Sequence, residues 1–293
     1  MVRAFRNASR HRGMRVATGS GCARAFNCPY HAWSYGLDGE LKFIPGEKGL
    51  PGFHKSDHGL VPVTAEEKHG VVFVTQDEAV STAAMDAMPQ ILYPEQQLFD
   101  TSEMSDEANW KLLCETSMEG YHIKALHNRS FFPYGYDNLN IVETYGPNSR
   151  IVFPFRCIEK LRDIPAEERR IDGMVTYVYQ LFPNAHVSVL SNHSLFIVME
   201  PVSPGQSKWI IYRLSNRDGT GNSNGASGKE KLAEAKRDSV FVKDTGLDED
   251  REAARAIQAG MESGANTNLT FGHYEKAIVH FHSNLQALLA KVA

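Results

Sequence analysis

The stretch Glu119-Gly-Tyr-His122-Ile-Lys-Ala-Leu-His127 puts two imidazoles and a carboxylate within nine residues. Imidazole nitrogen suits Fe(II), and two histidines with one carboxylate and open positions left over form a donor set of mononuclear non-haem iron. Ordinary core or surface histidines are the bland alternative, so the metal reading needs support from elsewhere in the chain. Glu119 and His122 are three apart and share a helical face. His127 is rotated by about 140° from His122 in a regular helix. Both can face one ion only if the helix ends or loosens between them, and a break is expected between Lys124 and His127.

Two loops near the N-terminus carry a second set of donors. Ser9-Arg-His11-Arg-Gly13 presents one histidine, and Cys28-Pro-Tyr-His31 presents a thiol and an imidazole at i and i+3 on a tight, proline-containing turn. That Cys and His can reach one metal cluster together, with His11 completing the other side.

The elements that must position these groups follow from local pattern. Residues 2–75 show short strands and turns with no helical period: Val2–Arg6, a hairpin of Trp33–Tyr35 and Leu41–Phe43 around Asp38-Gly39, and a closing strand at Gly70–Val74. Residues 77–108 have mixed charge and prolines and are read as a linker. Trp110, Leu113, Cys114 and Met118 then recur at helical spacing. Six apolar segments between Asn140 and Leu214 alternate as antiparallel strands, with Ala166–Arg170 as a charged surface loop or short helix. The Gly/Ser/Asn-rich run Asp218–Gly228 marks a surface loop, and the pattern is helical from Lys229 onward. Asp248, Glu249 and Asp250 open one of these helices, where acids would in any case complement the helix dipole. His273, His280 and His282 are left outside the site.

Composition narrows the classes. A net charge of −4 offers no general attraction to nucleic acid or anionic membranes. No apolar run is long enough for a membrane span. Four irregularly spaced cysteines make no disulfide framework, which favours a reducing compartment and a cytoplasmic location. Arg3, Arg6, Arg10, Arg12 and Arg15 come before Asp38, the first acid, as in some transit peptides. The segment is nonetheless assigned to the folded domain, because His11 lies in it.

In order, Arg-His11-Arg-Gly, Cys28-Pro-Tyr-His31-Ala-Trp, the Asp-Gly hairpin and Glu119-x-x-His122-x₄-His127 resemble the α (large) subunit of Rieske-type non-haem iron, aromatic-ring-hydroxylating oxygenases. The resemblance covers nearly the whole chain. It implies an α+β protein: an N-terminal all-β Rieske [2Fe-2S] domain over residues 1–76, and a helix-grip (START-like) catalytic domain with an antiparallel sheet over 109–293. The first domain is expected to be truncated, since only eight residues precede Ser9. His11, Cys28 and His31 match three of the four cluster ligands. Ser9 stands at the position of the missing Cys, where a hydroxyl is harder to deprotonate and a poorer match to iron than thiolate. Cys22 is the other nearby thiol, at a spacing that does not suit the family. His122 and His127 fall on the iron-ligand positions, and Glu119 on the acid that serves as the inter-subunit electron bridge. In the family the iron carboxylate lies eight residues before a Gln-x-Gly. Counting back from Gln258 gives Asp250, with Asp248 and Glu249 as the neighbouring alternatives.

The function so implied is hydroxylation, dihydroxylation or dealkylation of a small organic substrate, expected to be aromatic and to belong to aromatic hydrocarbon catabolism. It uses O2 and electrons from a separate NAD(P)H-dependent reductase, with or without a ferredoxin, in a homotrimer. Phe131, Phe132, Tyr134, Tyr179, Leu190 and Phe196 are candidate pocket residues. The rival expectation is a catalytically impaired homologue that binds a small molecule in its helix-grip domain, because Ser9 weakens the electron supply.

Overall fold

The computed structural model describes residues 1–75, 82–216 and 228–291, except the side chains of 244–246. The chain forms two units, Met1–Ala83 and Ala84–Ala293. Among the described residues no helix is long and apolar enough to cross a membrane.

The first unit holds two small antiparallel sheets. One pairs β1 (Ala4–Phe5), β5 (Pro62–Lys68) and β6 (Val71–Thr75); the other pairs β2 (Ala25–Asn27), β3 (Ser34–Gly36) and β4 (Leu41–Phe43). Cys28, Trp33, Tyr35, Leu41, Ile44 and Leu60 make its core. The expected hairpin is the β3–β4 pair. Gly39 at its turn has φ +87°, and a Cβ there would lie 2.4 Å from the Phe5 ring. Only glycine provides both the left-handed backbone and the space.

The second unit is built on a seven-stranded antiparallel sheet of order β7-β13-β12-β11-β10-β9-β8. Its strands are β7 (Leu98–Asp106), β8 (Ile141–Tyr145), β9 (Asn148–Pro154), β10 (Val175–Leu181), β11 (Ala185–Val189), β12 (His193–Ser203) and β13 (Gln206–Ser215). Among the described residues four α-helices accompany it: α1 (Trp110–Glu115), α2 (Gly228–Phe241), α3 (Asp248–Glu262) and α4 (Lys276–Leu289). Period-two alternation turns Ile151, Val178, Leu195, Ile197, Met199 and Ile211 to one face, where they share a core with Leu113 of α1, Ala254 of α3 and Phe281 of α4. A sheet gripping a long helix against its face is the helix-grip arrangement.

Three local expectations differ from the structure. The segment 77–108, expected as a linker, contains β7, the edge strand paired to β13 from Leu98↔Leu214 to Asp106↔Ser207. An edge strand exposed on one face keeps charges there, which is why its composition resembles a connector. The helix entering the histidine segment is also shorter than expected. α1 stops at Glu115 because Thr116 Oγ1 and Ser117 Oγ donate to the Leu113 and Cys114 carbonyls, each at 2.9 Å. Side-chain hydroxyls of this kind compete with helix continuation. The break therefore precedes Glu119 rather than falling at Lys124–His127. One isolated turn survives beyond it, with Leu126 N–H donating to His122 O and His127 N–H to Ile123 O. Thirdly, a π-helical stretch, Val242–Leu247, separates α2 from α3, so α3 begins at Asp248. The Gly/Ser-rich run up to Ser227 lies outside the described residues.

Candidate metal centres

His122, His127 and Asp250 each turn one ligand atom to a common point, all within 4.8 Å of one another. His127 Nε2 lies 3.0 Å and His122 Nε2 3.5 Å from the same oxygen, Asp250 Oδ1. The isolated turn between the histidines brings their rings to 5.0 Å at 67°. Asp250 comes from the first turn of α3.

A second carboxylate stands behind each histidine. Glu119 Oε1 holds His122 Nδ1. Glu249 Oε2 holds His127 Nδ1 at 2.6 Å and accepts the Ser130 hydroxyl at 2.6 Å. A carboxylate on Nδ1 fixes the ring and leaves Nε2 to ligate, as in carboxylate–histidine–metal triads. Of the three acids weighed for the third position, Asp250 faces both Nε2 atoms and Glu249 supports a ring. Asp248 is half-exposed and pairs with Arg251 at 3.0 Å. Sequence reasoning missed the Glu249 and Ser130 roles, which depend on contacts more than a hundred residues apart in the chain.

The electrostatics match this packing. Burial pushes the His127 ring towards neutrality, but Asp250 and then Glu249 outweigh it and raise its pKa. Burial raises Glu249, and the hydrogen bonds from Ser130 and His127 more than reverse it. Two nitrogens and a carboxylate oxygen facing one small space fit a divalent iron, with the remaining directions open to a cavity.

That cavity has a volume of about 670 Å³. Phe131, Tyr134 and Leu190 line it, as expected from sequence, together with Phe153, Phe155 and Phe241. The other three candidates lie elsewhere. Val178 reaches the cavity, so Tyr179 points to the opposite sheet face. Leu195 and Ile197 are in the core, so Phe196 also turns away and stacks on Tyr212 at 5.6 Å. Phe132 lies under the Arg156 guanidinium, 4.9 Å from its ring centre. Asp238 and Arg156 also line the cavity, although no charge for a polar substrate could be placed from the sequence.

In the first unit, the two predicted loops meet. His11 Nδ1 and His31 Nδ1 are 3.1 Å apart, and the His11 ring stacks on Trp33 at 4.7 Å. Burial, then His31 and Arg12, keep His11 below its ordinary pKa, and the neutral ring is the ligating form. Cys28 is buried, and burial pushes its thiol up. The Tyr30 and His31 backbone N–H groups and the Ser9 hydroxyl reverse this and leave it lowered. Ser9 is itself buried, its Oγ 3.1 Å from the Tyr35 hydroxyl. Cys22 is exposed; Ser9, not Cys22, is the neighbour of Cys28. The histidine pair would suit one iron of a Rieske cluster, and Cys28 with Ser9 would be left to meet the other, with an oxygen where the family pattern has sulfur.

Residues 97–291 match the catalytic domain of the ring hydroxylating alpha subunit, and residues 1–54 match the Rieske [2Fe-2S] domain. The chain belongs to the ring hydroxylating alpha subunit family, and its two domains imply a [2Fe-2S] cluster and a mononuclear iron. It is 26% identical to the chloroplastic choline monooxygenase of Spinacia oleracea over 98% of its own length and 65% of the relative's. Over 43% of its length it is 32% identical to the carnitine monooxygenase oxygenase subunit of Acinetobacter pittii, covering 37% of that protein. The chain thus spans less than two thirds of these relatives. Its fold is shared with a quaternary ammonium Rieske monooxygenase, CntA, at TM-score 0.75 and 21% identity, over 97% of this chain and 77% of the other.

Proposed function

We propose that the chain is the oxygenase component of a Rieske-type monooxygenase that oxidises a small quaternary ammonium compound. The choline and carnitine monooxygenases among its relatives favour this class over the aromatic hydrocarbon expected from sequence. The observation that carries the reading is the convergence of His122, His127 and Asp250 on a cavity walled by aromatic rings.

In this reading those three residues hold the iron, and His11, Cys28 and His31, with Ser9 in the fourth position, hold the cluster. When bound, the two groups supply O2 activation and single electrons. The protein's own residues orient and exclude. Glu119 and Glu249 keep the Nδ1 protons of His122 and His127, so both Nε2 atoms stay turned to the cavity. Phe131, 4.9 Å from the His127 ring, gives the cavity an apolar wall beside that histidine. Glu119 also serves as the relay to the neighbouring subunit in a homotrimer, and a separate NAD(P)H reductase is the electron source. The balance is one O2, two electrons and two protons per hydroxylated substrate and one water.

Oxygen uptake with a surrogate reductase tests the reading. Uptake and a stoichiometric oxidised product are expected with a quaternary ammonium compound such as choline or carnitine, and none with naphthalene. The opposite pattern contradicts the proposal.

A further inference from the structure

The cavity holds two charged side chains that the iron site does not use. Asp238 lies on α2, three residues before Phe241, so both project from one helix face into the cavity. Its Oδ2 is held at 2.8 Å by Nδ1 of His193, a fully buried residue. His193 Nε2 is buried with no partner among the described residues. A proton there would be an unpaired buried donor, so the Nδ1–H tautomer fits, donating to Asp238. The carboxylate is thereby held in one orientation, and its Oδ1 has no hydrogen-bond partner among the described residues.

Three rings in the same cavity lining cross one another at steep angles. Phe131 and Phe241 are 6.1 Å apart at 73°, and Tyr134 and Phe241 6.4 Å apart at 90°. Ring faces attract quaternary ammonium groups. The second charge, Arg156, is held differently. Its guanidinium lies 4.9 Å from the Phe132 ring centre and 5.0 Å from that of Tyr136. Nε and Nη2 donate to the Phe132 carbonyl at 3.4 and 3.3 Å.

The lining of one cavity thus holds an oriented carboxylate, aromatic rings and an exposed guanidinium. A neutral hydrocarbon satisfies neither charge, and an uncharged alcohol tail on a cation satisfies only the first. We propose that the substrate is a zwitterion, a quaternary ammonium carboxylate whose nitrogen is recognised by Asp238 with Phe131, Tyr134 and Phe241, and whose carboxylate is recognised by Arg156. This rests on the function proposed above and narrows it.

The test is anaerobic calorimetry on the full chain with glycine betaine and γ-butyrobetaine, two spacings of the same charges. The tighter binder is compared with its carbon isostere, in which C replaces N⁺, and with choline. Wild type should prefer the zwitterion over both by about tenfold or more. Asp238→Asn, still able to accept from His193, should bring the zwitterion-to-isostere ratio close to one while leaving isostere affinity unchanged, which also verifies folding. Arg156→Gln should do the same to the zwitterion-to-choline ratio. Choline or the isostere binding wild type as tightly as the zwitterion overturns the proposal. Zwitterion preference that survives both substitutions overturns the residue assignment and leaves the quaternary ammonium reading standing. Naphthalene binding with no binding of any cation overturns both.

Discussion

Arg251 grips Asp106 with two hydrogen bonds, Nε to Oδ2 at 2.7 Å and Nη2 to Oδ1 at 2.9 Å, and Asp106 is fully buried. Arg255 approaches the same carboxylate at 3.4 Å. The pair joins the end of β7 to the first turns of α3, one residue after the candidate ligand Asp250. Nearby, Gln258 Oε1 accepts the Asn109 backbone N–H at 3.1 Å, a second tie between α3 and the start of α1. These links fix the helix that supplies the carboxylate relative to the segment that supplies the histidines.

Removing the buried anion would leave two arginines facing an uncompensated gap. Asp106→Ala is expected to cost about 3 kcal/mol or more of stability, and to weaken iron retention by loosening α3. Denaturant unfolding and anaerobic Fe(II) titration measure the two effects. Unchanged stability would show that the ion pair is dispensable.

Three consecutive acids open α3, and their geometry separates them. Glu249→Ala should reduce Fe(II) affinity about 10- to 100-fold, since it loses the acceptor that orients His127. Asp248→Ala should leave affinity unchanged, because Asp248 faces Arg251. Equal losses from both substitutions would reduce the effect to helix-terminal charge.

Much of this was legible because it is local. Strand alternation from Ile141 to Leu214 is a property of neighbouring residues, and His122 and His127 lie on one short segment. Asp250 was reachable by counting from Gln258. Glu249, Ser130, Asp238 and Arg156 were not, since each acquires its role from a partner or cavity wall brought close only by the fold. β7 was hidden for a related reason: an edge strand with polar residues on its open face has the composition of a connector. Tyr179 and Phe196 show the converse error, aromatic residues assigned to the pocket when strand parity turns them away from it.

His186 gives the fold a pH dependence of its own. It is buried on β11, its Nδ1 has no partner among the described residues, and burial pushes its pKa from 6.5 down to about 4. Between these values the unfolded chain takes up a proton that the folded protein refuses. Stability is therefore full above pH 6.5 and falls as the pH drops towards 4, by up to about 1.4 kcal/mol per unit. His186→Leu should flatten that part of the profile measured by urea unfolding, and an unaltered slope would exclude His186 as its source.

Ser9 sits against Cys28 with an oxygen where the family pattern has sulfur. Ser9→Cys is expected to raise the visible [2Fe-2S] absorbance per chain after anaerobic reconstitution, since thiolate is the better iron ligand. No change in cluster absorbance would mean that Ser9 does not limit assembly.

The most direct measurement is mononuclear iron per chain, read beside cluster absorbance in the same sample. Wild type should bind one Fe(II) beyond its cluster content. His122→Ala and Asp250→Ala should abolish that iron and leave the cluster spectrum unchanged. Retention of the extra iron in either variant, or loss of cluster and iron together, would contradict the assignment of His122, His127 and Asp250 as a separate iron site.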